Sequence, residues 1–187
     1  MVLRPGTDES DVRALADRLG FTVVREMTAD PVQGVQREVT WRVDEGLVLH
    51  YAEEAVSGCV FVQVQGDADE DVAEVADAVA SYLVPVSLED ALVGTRVPAD
   101  EETRAARIVQ AGLSAPEHFD DRFLRVFAAA MRDGSRRIRE AGVWATTYSN
   151  WPEAKPLLQA VMANDPDPGL RADAQNILEV AHGGTGR

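Results

Sequence analysis

The side chains with reactive chemistry to offer in this 187-residue chain are three histidines, one cysteine and 32 carboxylates. His50, His118 and His182 fall in a strand-like run, a loop and a helix end, and none has a His, Cys or carboxylate partner at ligand spacing. That spacing is what a metal centre requires, so neither a metal nor a cofactor is expected. His182, near a helix C-terminus, suits the negative end of the helix dipole. Cys59 opens the apolar run Cys59 to Val64, a place for a small core residue, whereas a reactive thiolate needs electropositive surroundings. Neighbouring acids such as Glu53-Glu54 and Asp120-Asp121 offer an acid and a base in principle. In an acidic chain such pairs are solvated surface, and nothing beside them raises a pKa. The glycines from Gly183 to Gly186 have no strand before them, no helix after them and no lysine, so they do not make a phosphate loop. No catalytic set emerges, and a non-enzymatic role is expected.

Binding chemistry is better represented. From Ser135 to about Tyr148 the chain has a helical period, with Ile138, Ala141, Gly142, Ala145 and Tyr148 as its core stripe. At 100° per residue Arg137, Glu140, Trp144 and Thr147 share the adjacent stripe, which Arg136 joins at the helix start and Trp151 extends. Tryptophan and arginine together are the composition of interface hot spots. Arg136, Arg137, Glu140, Trp144, Thr147 and Trp151 are therefore the candidate partner-binding residues. The competing expectation is that a helix with two buried flanks packs Trp144 on a neighbour. Eight arginines against four acids between Arg104 and Arg139 add a local positive excess suited to an acidic partner or to the chain's own acidic half.

The elements that position these residues follow from pattern. Thr7 or Ser10 caps a helix carrying Val12, Leu15, Ala16 and Leu19, which Gly20 ends. Phe21 to Val24 reads as a strand, and Asp30-Pro31 as a turn. Val35, Val39, Trp41 and Val43 alternate with polar residues, the period of a half-buried strand. Asp44-Glu45-Gly46 closes a hairpin to Leu47–Tyr51, and Ser57-Gly58 turns into Cys59–Val64. Four short strands with tight turns predict an antiparallel meander. An acidic start at Asp67 to Asp71 then opens a helix with Val72, Val75, Ala76, Val79, Tyr82 and Leu83 on its apolar face. The fold class is α+β, with residues 1–84 as a sheet-and-helix domain, 85–182 as a helical array and 183–187 as a flexible tail.

The helical array carries an internal repeat. Asp165, Asp167, Pro168, Leu170-Arg171, Ala174, Ile177, Leu178 and Ala181 make the clearest copy, and a shift of 32 positions finds Asp133, Ile138-Arg139 and Gly142. A poorer copy begins at Asp100 with Thr103-Arg104 and Ile108, where Arg107 stands in the place of a small residue. The pattern resembles the HEAT family of helix-pair repeats over roughly residues 86–181, and periods in the thirties belong to helical solenoids. The resemblance implies an aspartate in each inter-helix turn that bonds the arginine of a neighbouring repeat. It also implies a surface that binds peptides or folded partners.

Net charge is −14, and it is uneven: residues 1–95 carry 19 acids and 6 bases, residues 96–187 carry 13 and 12. Such a chain repels nucleic acid and anionic membranes, so neither is an expected partner. Strong acidity also suits an immunity or inhibitor protein that neutralises a basic toxin. Some proteins similar to HEAT arrays are DNA glycosylases using tryptophans and an aspartate beside a basic groove, an alternative that Trp144, Trp151 and the arginines would serve and the net charge opposes. Self-association through a sheet edge or a solenoid end is a further possibility. No apolar run nears the roughly 18 residues of a membrane span, and no N-terminal signal segment is seen. With one cysteine excluding an intrachain disulfide, a cytoplasmic location is expected. Lys155 is the one lysine among arginine bases, and with many alanines this is the composition of a high-GC bacterial genome.

Overall fold

The computed structural model describes residues 1–30, 35–55 and 57–183. The chain is α+β and divides into two compact units, Met1–Val86 and Ser87–Arg187. The expected turn at Asp30-Pro31 and most of the expected tail lie outside the described residues.

In the first unit α1 (Glu9–Leu19) is capped by Asp8, not by Thr7 or Ser10. The Asp8 carboxylate accepts the Ser10 N–H at 2.8 Å, and Asp11 accepts the Asp8 N–H at 3.0 Å. This reciprocal pair satisfies two free N–H groups, which a single hydroxyl cannot do. Gly20 ends the helix at φ 77°, a conformation open to glycine at little cost. Four antiparallel strands follow as a meander in chain order: β1 (Thr22–Asp30), β2 (Val35–Asp44), β3 (Leu47–Glu54) and β4 (Val60–Gln65). The register sets Trp41 opposite Leu49 and Tyr51 opposite Val62. With Val39 these side chains form a buried face packed with Val12, Leu15 and Ala16 of α1 and with Val79 of α2 (Asp69–Tyr82). The β4 edge is occupied by the chain start: the Met1 ammonium donates to the Val62 carbonyl at 2.7 Å, and the Leu3 N–H to that of Val60 at 2.8 Å. At the margin of the buried face Arg37 donates to both Glu9 oxygens, at 2.7 and 2.9 Å, and to Glu26 at 2.7 Å. Arg13 closes the square, 2.6 Å from Glu9 and 2.9 Å from Glu26.

The second unit is helical: α3 (Leu88–Gly94), α4 (Glu101–Ser114), α5 (Asp121–Ala130), α6 (Arg136–Ser149), a 3-10 turn at Pro152–Ala154, α7 (Lys155–Asn164) and α8 (Pro168–Gly183). The pairs α3–α4, α5–α6 and α7–α8 are in contact, and α4, α6 and α8 also pack in succession. Each of the three second helices starts alike. Asp100 accepts the Thr103 N–H, Ser135 that of Ile138 and Asp167 that of Leu170. Four residues past each cap stands an arginine: Arg104, Arg139 and Arg171. Arg104 donates to Asp133 at 2.6 Å, and Arg139 to both oxygens of Asp165 at 2.8 and 3.2 Å. Arg139 also reaches the Asp133 carbonyl and Arg171 the Asp165 carbonyl, each six residues back, so the 32-residue shift is a geometric repeat.

The helices approach closely where the sequence is small. A Cβ on Gly112 would lie 2.6 Å from the Ala145 carbonyl oxygen, so α4 and α6 touch backbone to backbone there. One apolar cluster joins Met131, Val143, Leu158, Val161, Leu170, Ala174 and Leu178. Among the described residues no helix is long and apolar enough to cross a membrane.

Candidate functional site

Helix α6 has two buried flanks, as a helix between two neighbours must. Ile138, Arg139, Ala141, Gly142, Val143, Ala145 and Thr146 are all buried. Tyr148, expected in the core stripe, is instead 39% exposed, because Thr146 takes the inward place in the last turn and satisfies its hydroxyl on the Val143 carbonyl at 2.7 Å. Trp144 is 38% exposed. Thr147 beside it spends its hydroxyl on the Trp144 carbonyl.

Trp151 corrects a second expectation. It does not extend the exposed stripe of α6: the ring is 4% exposed and stands among Phe119, Phe123 and Phe127, with centroids 5.5–6.5 Å away. Its indole N–H donates to the Glu117 carbonyl at 3.1 Å, which satisfies the one polar atom that burial would otherwise strand. The physical reason is Asn150, which caps α6 in the left-handed region at φ 49°. The chain turns there, so a rotation of 100° per residue no longer applies to Trp151.

The charged members of the candidate set are held by neighbours. Arg136 donates to Asp167 at 3.0 Å and to Glu140 at 2.9 Å, which binds the start of α6 to the start of α8. Arg137 lies 3.4 Å from Glu102 of α4. Both arginines are about half exposed, so these pairs orient side chains and add little stability. Arg136, Arg137 and Glu140 thus lie along the first turns of α6, while Trp144, Thr147 and Trp151 gather farther along, around one groove.

That groove has a volume of about 730 Å³ and is walled by α6, the 3-10 turn, α7 and α8. α6 contributes Trp144 and Thr147 to its lining, α8 contributes Ile177 and Val180, and the buried Trp151 and Leu158 complete it. Val180, 77% exposed, lies off the repeat's apolar stripe of Leu170, Ala174, Ile177, Leu178 and Ala181, and sequence periodicity alone passes over it. Lys155 is the one charged residue among those lining the groove. Its surface is mainly apolar, and apart from Lys155 its polar side chains are amides, hydroxyls and indoles, a lining suited to holding a side chain.

Elsewhere the reactive side chains are placed as follows. Thr40 Oγ1 stands 3.1 Å from His50 Nδ1, and Glu38 is 3.8 Å from the same nitrogen. A catalytic triad needs its hydroxyl and carboxylate on opposite ring nitrogens, so this trio is not one. Burial pushes the Cys59 thiol up from its ordinary pKa, which makes it a poor nucleophile. Asp120 receives Arg122 and is held below the usual carboxylate range. Among the described residues no group of three or more His, Cys, Asp or Glu is placed to hold a metal ion. Compared with known family models, curated proteins and solved structures, the chain matches none.

Proposed function

We propose that residues 87–183 form a short HEAT-like array that works by binding another protein through the groove beside α6. The observation that carries this reading is Trp144, a large amphipathic ring left 38% exposed in an apolar groove that Ile177 and Val180 also line. Burying an aromatic anchor in such a groove is where interfaces concentrate their binding energy. The recurring Arg104–Asp133 and Arg139–Asp165 contacts support the repeat itself, since each ties one helix pair to the next. The partner is expected to insert an apolar side chain into the groove, and the chain's charge of −14, carried mostly by residues 1–95, favours a basic partner through the overall field. Inhibition of a basic protein is the form of this function that the net charge favours. The partner is sought by affinity capture on wild type, Trp144→Ala and Val180→Asp, each first shown to be folded by circular dichroism. Retention by wild type alone, reproduced with the purified partner, supports the groove. Equal retention by all three contradicts it, and retention of duplex DNA at about 50 mM salt would favour the nucleic-acid alternative.

A further inference from the structure

A second pocket of the helical unit, about 440 Å³, is lined by four arginines: Arg96 before α4, Arg104 on α4, and Arg122 and Arg125 on α5. Its lining is also aliphatic, with the buried Ile108 and Ile138 and the half-buried Val126. Of the residues lining it, one is acidic, Asp133. The volume falls within the roughly 300–1,000 Å³ of small-molecule sites.

The four arginines are all substantially exposed, so water screens their mutual repulsion and leaves the cavity a positively charged, solvent-accessible lining. Two of the charges are partly answered by the chain and one fully. Arg104 gives Nη2 to Asp133 at 2.6 Å and Arg125 gives Nη2 to Asp121 at 3.0 Å, whereas Arg122 has all three nitrogens on carboxylates, Nε and Nη2 on Asp120 at 3.1 and 2.7 Å and Nη1 on Glu89 at 3.4 Å. Arg104 and Arg125 are each paired through a single nitrogen, and a guanidinium has five N–H donors. The carboxylates therefore fix these side chains while leaving other donors free. Arg96 forms no ion pair among the described residues, and it lines the same cavity. Arginine forks match the oxygens of phosphate and carboxylate, and several forks around one cavity suit a group with three acceptor oxygens and two charges.

We infer that this pocket binds a small organic phosphate, its dianionic head among Arg96, Arg104 and Arg125 and its apolar body on Ile108 and Val126. Such a site is separate from the Trp144 groove, so either can fail without the other.

Calorimetric titration with phenyl phosphate, inorganic phosphate and benzyl alcohol tests it on the full chain. Phenyl phosphate is expected to bind saturably and about tenfold more tightly than inorganic phosphate, because only the former uses the aliphatic lining. Benzyl alcohol, without the charge, is expected to show no saturable binding. Arg96→Gln and Arg125→Gln are each expected to weaken phenyl phosphate about tenfold, while Arg132→Gln, outside this pocket, leaves it unchanged. Absence of saturable phenyl phosphate binding at millimolar concentration overturns the inference. So does equal affinity in the Arg96 and Arg125 variants, or an equal loss in the Arg132 variant, which would mark a general charge effect.

Discussion

Arg139 places Nε and Nη2 on the two carboxylate oxygens of Asp165, 26 residues farther along, at 2.8 and 3.2 Å, with both side chains buried. The same guanidinium reaches the Asp133 and Gly134 carbonyls at 3.2 Å, so it bonds the turn of its own helix pair and the turn of the next. Asp165 in turn accepts the Asp167 N–H at 2.9 Å. One contact thus joins α6 to the turn before α8 and shapes that turn as well.

Removing the charge of Asp165 strands a buried guanidinium, a change that costs about 3 kcal/mol or more. Asp165→Asn is expected to lower the stability of the helical unit by that order in urea denaturation. Arg104→Gln breaks the equivalent contact in the preceding repeat, but there the arginine side chain is 42% exposed. Solvent screens that pair, and its loss is expected to cost less than about 1 kcal/mol. Equal effects of the two substitutions would contradict the difference in burial.

The square of Glu9, Arg13, Glu26 and Arg37 gives the first unit a pH dependence. Hydrogen bonds from Arg37, ahead of those from Arg13, hold Glu9 down from 4.5 to about 2. A carboxyl that titrates lower when folded stabilises fully above its free value and loses that contribution as pH falls toward the folded one. Wild type and Glu9→Gln are therefore expected to differ most above pH 4.5 and to converge as pH falls toward about 2. Denaturation midpoints measured across that range check this; a difference independent of pH would refute it.

Gly112 tests the close approach of α4 to Ala145. Alanine in a helix ordinarily gains up to about 1 kcal/mol over glycine. Here the added Cβ would sit 2.6 Å from the Ala145 carbonyl oxygen and 2.7 Å from its Cα, backbone atoms that cannot swing aside. Gly112→Ala is expected to destabilise by about 1–3 kcal/mol. Gly94→Ala, with nothing within 4 Å of the new atom, is expected to be neutral or stabilising. Thermal melts of both variants provide the check.

Much of this arrangement is legible in the residues, and the exceptions have identifiable causes. The alternation of Val39, Trp41 and Val43 marks β2 because one face of that strand is buried. β1 runs to Asp30, six residues past the expected end at Val24, because its second half is largely solvent-exposed and has no alternation to betray it. The arginines of α4 and α6 are separated by 35 residues while those of α6 and α8 are separated by 32, which is why the first repeat reads poorly at a fixed period. Helical phase carried through Asn150 misplaces Trp151, because a left-handed residue there resets the rotation. The Trp144 groove needs Val180 from a helix more than thirty residues away, and no local period joins the two. The arginine pocket likewise draws Arg96 from a loop and its other arginines from two helices.

The exposure of Trp144 can be measured before any partner is known. Trp41 is fully buried and Trp151 is 4% exposed, so Trp144 alone should meet a neutral quencher such as acrylamide. Trp144→Phe is expected to abolish the accessible fraction of the emission. A large accessible fraction remaining in that variant would place solvent against Trp41 or Trp151 and contradict the packing described.

The proposed role of the groove beside α6 is to hold a partner's side chain. Its most direct test is the dissociation constant of the purified partner for wild type and for Trp144→Ala, at two salt concentrations. A hot-spot tryptophan is worth at least about 2 kcal/mol, so a loss of about thirtyfold is expected at both. Binding to wild type should also weaken with salt, as an acidic chain with a basic partner requires. Equal affinity for the two proteins would show that the partner sits elsewhere and would contradict the assignment of the groove.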